Sequence, residues 1–316
     1  MDEFELIRRY FSSDTAARDD VSLGVGDDAA LLRVPAGMEL AVTTDTLLPG
    51  VHFPPHLDAA AVGHRALAAN LSDLAAMGAE PAWLLLALTL PMVDEAWLEA
   101  FSGGFKALAR KHDAALVGGN LARGPLNITI TAQGLVPQGQ ALKRAGARAG
   151  DRIYVTGHLG DAAAGLKLIL GGKGDQDDEC VQRFTHPEPR IAAGMALRGL
   201  ASACIDISDG LLGDLGHILE AGSVGATILT ARLPLSKRIL SLHGRDEAEK
   251  LALTGGDDYE LCFTAAPERQ QELEKRIATT GCAITCIGSV DAEPGLRVME
   301  ASGHGLTLSE PGYKHF

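Results

Sequence analysis

Hydrophobic and polar positions alternate in blocks whose periods switch along the chain, and the blocks predict a mixed α/β protein. The start, MDEFELIRRY, has the spacing of a short acidic amphipathic helix. A strand is predicted near Glu39 to Thr44, an alanine-rich helix from about Asp58 to Met77, and an apolar strand over Ala82 to Leu90. A helix near Asp94 to His112 follows, then strands near Ala114 to Val117 and Asn127 to Val136. The polar, Gly-rich and basic segment PQGQALKRAGARAGD (Pro137 to Asp151) breaks the pattern and marks a boundary. We therefore expect an N-terminal domain over 1–137, a linker over 138–150 and a C-terminal α/β domain over 151–316.

Beyond the linker, RIYVTGHLGDAAAGLKLIL reads as strand, glycine turn and helix. THPEPR punctuates the chain before a helix ending near Ala201. SACIDISDGLLGDLGHILEAG repeats strand, turn and helix, and LTGGDDYELCFTA runs from turn into strand. There is no short tandem repeat and no low-complexity segment.

Composition narrows the function classes. The 316 residues carry a formal net charge of −13 with no Lys/Arg stripe, which argues against nucleic acid and anionic membranes as partners. The longest apolar stretches, such as Trp83 to Leu90, fall far short of the roughly 20 residues that span a bilayer. The acidic start does not read as a signal peptide. Five cysteines without CxxC spacing suit core thiols in a reducing cytosol better than a zinc or disulfide framework.

Candidate chemistry lies in acidic turns. GVGDDAA, TTDTLLPGVHF, NLSDLAAMGA and DISDG each set carboxylates where a regular element meets a glycine or small-residue turn, and GGDDYEL has the same look. Each has a local explanation: Ser208 as an N-cap, Asp209 as a first-turn acid, Asp27 and Asp28 as turn residues. Asp73 is harder to explain cheaply, because its helical neighbours are small or apolar. If Asp27, Asp45, Asp73 and Asp206 converged without a cation, each pair about 4 Å apart would repel by about 4 kcal/mol at an effective dielectric of about 20. Oxygen-only donors with no Cys/His cluster suit Mg²⁺ shared with substrate phosphates, and the hydroxyls of Thr43, Thr44 and Ser208 are further oxygen donors. No G-x-x-x-x-G-K-[ST], H-R-D or D-F-G is present, so neither a P-loop nor a protein kinase is indicated.

GVGDDAAL, TTDTLLPGVHF, NLSDLAAMGA, GGNLARGPL, VTGHLGDAAAGL, DISDGLLGDLGH, GGDDYELCF and the terminal GYKHF resemble, in order and spacing, the thiamine-monophosphate kinase family. That family lies in the superfamily of aminoimidazole ribonucleotide synthetase, selenophosphate synthetase and the hydrogenase-maturation dehydratase. The resemblance covers essentially the whole chain. It implies a two-domain α/β (α+β) fold whose N-terminal sheets pair across a homodimer as a barrel. It also implies ATP-dependent phosphorylation of thiamine monophosphate to thiamine diphosphate with several Mg²⁺ ions. By motif position, Asp27, Thr43, Thr44, Asp45, Asp73, Asp206 and Asp209 correspond to the metal shell, with Asp45 and Asp73 foremost. The Gly118-Gly119-Asn120 turn, Arg144 and Ser208 correspond to ATP contacts, and His52, Asp257 and Tyr313 to residues that hold thiamine monophosphate. Two positions depart from the family pattern. Where it usually reads GGDTTRG this chain reads GGNLARG, so the expected magnesium ligand is the uncharged amide of Asn120. Where it usually reads GGEDYEL, Asp257 is one methylene shorter. The alternatives to the kinase are a related ATP-dependent synthetase of the superfamily and a non-catalytic protein that binds nucleotide or thiamine phosphate.

Overall fold

A computed structural model describes residues 2–12, 16–300, 302 and 304–306. The chain divides into two compact units, one comprising residues up to Leu74 and Ala79–Gly139, the other Ala75–Gly78 and the chain from Gln140 onward.

The first unit begins with α1 (Glu3–Tyr10), whose start is fixed by a reciprocal capping box between Asp2 and Glu5. The short pair β1 (Val21–Leu23) and β2 (Leu31–Leu32) follows, then β3 (Met38–Leu47), α2 (Ala59–Ala76), β4 (Glu80–Leu90), α3 (Glu95–Lys111), β5 (Ala115–Arg123) and β6 (Asn127–Pro137). The four long strands form a sheet in the order β3-β6-β4-β5, with β3 and β5 at opposite edges. Only the β4–β5 pair is parallel, and α3 supplies the crossover that a parallel pair needs.

Residues alternate along β6 between buried (Ile128, Ile130, Ala132) and half-buried (Thr129, Thr131, Gln133), so one face of the sheet is covered and the other is open except at the end where Val21, Ala30 and Leu32 pack with Trp83 and Leu135. Leu74 of α2 packs against Gly134 of β6 on the covered face. The helices α2 and α3 approach closely because Gly63 and Gly104 carry no side chain: a Cβ on either would lie 2.1 Å from the Phe101 carbonyl oxygen or 2.0 Å from that of Ala60. The open face carries the hydroxyl pairs Thr44–Thr131 and Thr46–Thr129, each at 2.8 Å, and leaves Val42 57% exposed.

The second unit contains β7 (Arg152–Thr156), α4 (Asp161–Leu170), α5 (Glu179–Thr185), α6 (Ile191–Leu197), β8 (Ala203–Asp206), α7 (Leu211–Gly222), β9 (Gly225–Leu229), α8 (Lys237–Thr254), β10 (Leu261–Ala265), α9 (Gln270–Ala278), β11 (Ile284–Asp291), β12 (Gly295–Met299) and β13 (Gly305–Leu306). Seven of these strands form one sheet in the order β13-β12-β9-β11-β7-β10-β8, so that β8 is an edge and β10 lies between β7 and β8. Ile153, Val155, Ile205, Leu211, Leu215 and Ile218 form the centre of its core. Among the described residues no helix is long and apolar enough to cross a membrane, and all five cysteines are free thiols.

One predicted element is corrected. Gly118, Gly119 and Asn120 do not form a turn; they continue β5, paired with Leu85, Leu86 and Ala87. The glycines serve the pairing: a Cβ on Gly119 would stand 1.9 Å from the Leu86 carbonyl oxygen, next to the register shift between Leu84 and Leu85. Thr43, Thr44 and Asp45 likewise lie in the body of β3 rather than at its junction with a turn.

Candidate functional site

In the first unit a cleft of about 710 Å³ lies among α1, the 25–32 segment, β4 and β5. It brings together Asp27, Asp28, Gly118, Gly119 and Asn120, beside apolar walls that include Phe4, Phe11 and Leu86. The turn at Gly26, where φ is +121°, positions Asp27, and Asp27 Oδ1 accepts the backbone N–H of Asp28 at 2.8 Å. Register carries Asn120 across Ala87 and Thr129 to Thr46, so Asn120 belongs to the open face.

A second group lies at the other edge. The Thr43 hydroxyl donates to the Asp73 carboxylate, joining β3 to the last turn of α2. Asp45 is two residues further along β3 and shares the face of Thr43. Thr44 faces the opposite way, with its hydroxyl bonded to Thr131. The β3 and β5 edges are three strand spacings apart, about 14 Å. Asn120 on β5 and the Thr43–Asp73 pair on β3 therefore lie at opposite edges of the sheet and on opposite faces of it. His52 is fixed in the turn after β3: its Nδ1 accepts the Leu48 N–H at 3.0 Å, and its carbonyl oxygen accepts from the buried Arg65 guanidinium at 3.2 Å.

In the second unit two acidic loops are joined by backbone hydrogen bonds. Ile207 N–H donates to the Glu260 carbonyl oxygen at 2.7 Å, Tyr259 N–H to that of Ile207 at 2.9 Å, and Asp257 N–H to that of Ser208 at 2.8 Å. Asp206, Ser208, Asp209 and Asp257 are thereby gathered at one end of the β8–β10 pair. Arg144 is exposed on a loop tied to the same edge strand, where Cys204 N–H donates to the Lys143 carbonyl oxygen at 2.9 Å. Asp257 and Tyr259 hold positive φ values of +68° and +50°, rare for residues with a side chain, and the Tyr259 hydroxyl donates to Asp257 Oδ1 at 3.1 Å. Tyr313 lies outside the described residues.

Buried charges brace these loops. Arg190 meets Glu260 with two guanidinium nitrogens, and the Thr156 hydroxyl donates to Glu260 Oε2 at 2.6 Å. Burial opposes the Arg190 charge, but the Glu260 carboxylate outweighs it and holds the guanidinium pKa above its ordinary value. Asp258 accepts from Gly160 N at 2.7 Å and Ala162 N at 3.3 Å at the start of α4. Burial pushes its carboxyl well above the usual range, against the pull of those two amides. Burial likewise pushes Asp214 up to about 7, opposed by backbone N–H donors and aided by the charge of Asp209.

Among the described residues no three His, Cys, Asp or Glu side chains converge to hold a metal. The donors present are carboxylate, hydroxyl and amide oxygens, which fit Mg²⁺, an ion commonly held by one or two carboxylates with water and substrate phosphates completing its shell.

Known proteins share this architecture. The family model described as AIR synthase related protein, N-terminal domain, matches residues 26–136, and the corresponding C-terminal domain model matches residues 148–300. A curated thiamine-monophosphate kinase of Escherichia coli strain K12 is 48% identical over 318 residues, covering 99% of this chain and 98% of the relative. The chain belongs to the thiamine-monophosphate kinase family. The crystal structure of the family member from Stenotrophomonas maltophilia K279a superposes with a TM-score of 0.89 at 46% identity, covering 97% of this chain and 98% of that one. The structure described as AaThiL complexed with AMPPCP and TMP gives 0.79 at 33% identity over 92% of each chain.

Sequence reasoning passed over Asp214, Asp258, Tyr259 and Glu260 within the family motifs, and Arg190 outside them. The signal for Asp214 was the one that singled out Asp73: a carboxylate inside an otherwise apolar helical run, LLGDLGHIL. Ser208 is not the N-cap of α7. Gly210 takes that position with φ +120°, and a Cβ there would stand 2.8 Å from the Thr254 carbonyl oxygen.

Proposed function

We propose that this protein transfers the γ-phosphoryl group of ATP directly to the phosphate of thiamine monophosphate, giving thiamine diphosphate. Full-length membership of the kinase family carries this reading. The acceptor is a phosphate monoester, largely ionised near neutral pH, so its attacking oxygen needs no general base. Two polyanions must instead be brought into line and their charge offset, which is work for cations and positioning groups. Mg²⁺, when bound, supplies that neutralisation.

Asp27, Thr43, Asp45, Asp73, Asp206 and Asp209 hold magnesium in this reading. Asn120 adds an amide oxygen, and Thr44 contributes through its backbone, since its hydroxyl is bonded to Thr131. Gly119, Arg144 and Ser208 contact ATP. The lack of a side chain at Gly119 lets β5 close onto Leu86 and keeps the cleft wall smooth beside Asp27. His52, held by Leu48 and Arg65, and Asp257, held by Tyr259, bind thiamine monophosphate with Tyr313.

The working form is a homodimer in the cytoplasm. The separation of Asn120 from the Thr43–Asp73 pair on opposite edge strands supports a site completed by a second copy, and the open sheet face with exposed Leu40 and Val42 supports the surface that pairs. The test is chromatography of products from purified protein with Mg·ATP and either thiamine or thiamine monophosphate. Thiamine diphosphate is expected from the monophosphate alone and none with excess EDTA. Phosphorylation of free thiamine, or no product, contradicts the reading.

A further inference from the structure

Asp214 lies in the first turn of α7 and is 3% exposed. One of its oxygens, Oδ2, accepts three successive backbone N–H groups: Ser208 at 3.0 Å, Asp209 at 3.1 Å and Gly210 at 3.1 Å. Consecutive amides converging on one point form a concave anion site. Here the chain supplies the acceptor itself, Asp214 Oδ2. The amides of the loop are used internally, and what it offers a ligand is the side chains of Ser208 and Asp209.

The same loop is fixed on its other side. The Ser208 carbonyl oxygen accepts the Asp257 N–H at 2.8 Å, and a Cβ on Gly256 would stand 2.4 Å from that oxygen. A shift at Ser208 therefore carries over to Asp257.

We propose that Asp214 is a positioning residue for phosphoryl transfer, which fixes the Ser208–Gly210 loop in the conformation that presents Ser208 and Asp209 to the magnesium-bound nucleotide. The proposal rests on the reading of Ser208 and Asp209 as nucleotide and metal contacts. Removing Oδ2 leaves three donors without their acceptor in a buried place, and the loop relaxes to satisfy them elsewhere.

The test uses the full-length protein with Asp214→Ala, Asp214→Asn and Asp214→Glu, beside Ser208→Ala and Asp209→Asn. The readouts are the Mg²⁺ activation curve, KM for ATP, kcat and Tm. Asp214→Ala is expected to raise half-maximal Mg²⁺ about tenfold and to lower kcat. Asp214→Asn keeps an oxygen where Oδ2 stands and is expected to remain within about threefold of the unaltered protein. A lowered Tm with unchanged Mg²⁺ and ATP dependence in Asp214→Ala would reduce the residue to a structural role and overturn the proposal. If Asp214→Ala does not fold, Asp214→Glu decides: it keeps the carboxyl group but moves the oxygen by one methylene, and an unshifted Mg²⁺ curve overturns the proposal. If Ser208→Ala and Asp209→Asn leave both dependences unchanged, the underlying reading of the loop fails, independently of the Asp214 variants.

Discussion

Asp27 accepts the N–H of Asp28 through Oδ1, so the Gly26 turn orients the first carboxylate of the pair. Both line the cleft beside Asn120. Asp27→Ala is expected to lower kcat/KM about a hundredfold or more, as loss of a metal-binding charge does, and Asp28→Ala much less. Steady-state kinetics on the two variants decide this, and equal losses would show the pair wrongly divided. Asp214 gives a pH signature. Its carboxyl holds a proton up to about 7 in the folded protein, against an ordinary value of 3.8. Between those values the native state binds more protons than the unfolded chain, so this group makes stability fall as pH rises through the window. Asp214→Asn lacks that contribution. Urea unfolding at several pH values is therefore expected to show the stability of the variant rising relative to that of the unaltered protein between about pH 4 and pH 7. The sequence made Asp73 legible because a carboxylate stood out among small residues. Asp214 carried the same mark, but its partners are backbone amides brought back by a turn, and a sequence does not display those.

At the scale of elements, period and turn chemistry recovered most of the order. The amphipathic start, the alanine-rich Ala59–Ala76 helix and the strand–turn–helix repeats around Arg152 and Ala203 all form as their patterns predict. The GGN segment misled because glycines usually mark turns, whereas here they let a parallel strand approach its neighbour. Register with β4 decides that, and register is a property of the folded sheet. Gly119→Ala is expected to cost about 1–3 kcal/mol or more from the forced shift between β4 and β5, read as a fall in Tm and in urea midpoint. The Glu260–Arg190 pair was also invisible, since its partners are 70 residues apart. Arg190→Ala leaves a carboxylate uncompensated with a side-chain exposure of 2%, and a loss of about 3–5 kcal/mol is expected in the same unfolding experiment.

At the scale of the whole molecule, the acidic motifs are distributed over both compact units. Within the first unit, Asn120, beside Asp27 in the cleft, and Thr43, bonded to Asp73, stand on opposite edge strands of a four-stranded sheet. A homodimer that completes each site with both copies makes a specific prediction. Asp27→Ala and Asp73→Asn proteins, each inactive alone, are expected to regain up to about a quarter of full activity when mixed and allowed to exchange subunits, because half the dimers are mixed and one of their two sites is intact. Activity that stays at the level of the separate variants would place the whole site in one chain. The central claim is phosphoryl transfer to thiamine monophosphate, and phosphorus NMR of the purified protein with Mg·ATP and that acceptor tests it most directly. The monoester resonance is predicted to give way to the coupled pair of a diphosphate as ADP accumulates in equal amount. ADP and inorganic phosphate accumulating while the monoester persists would contradict it.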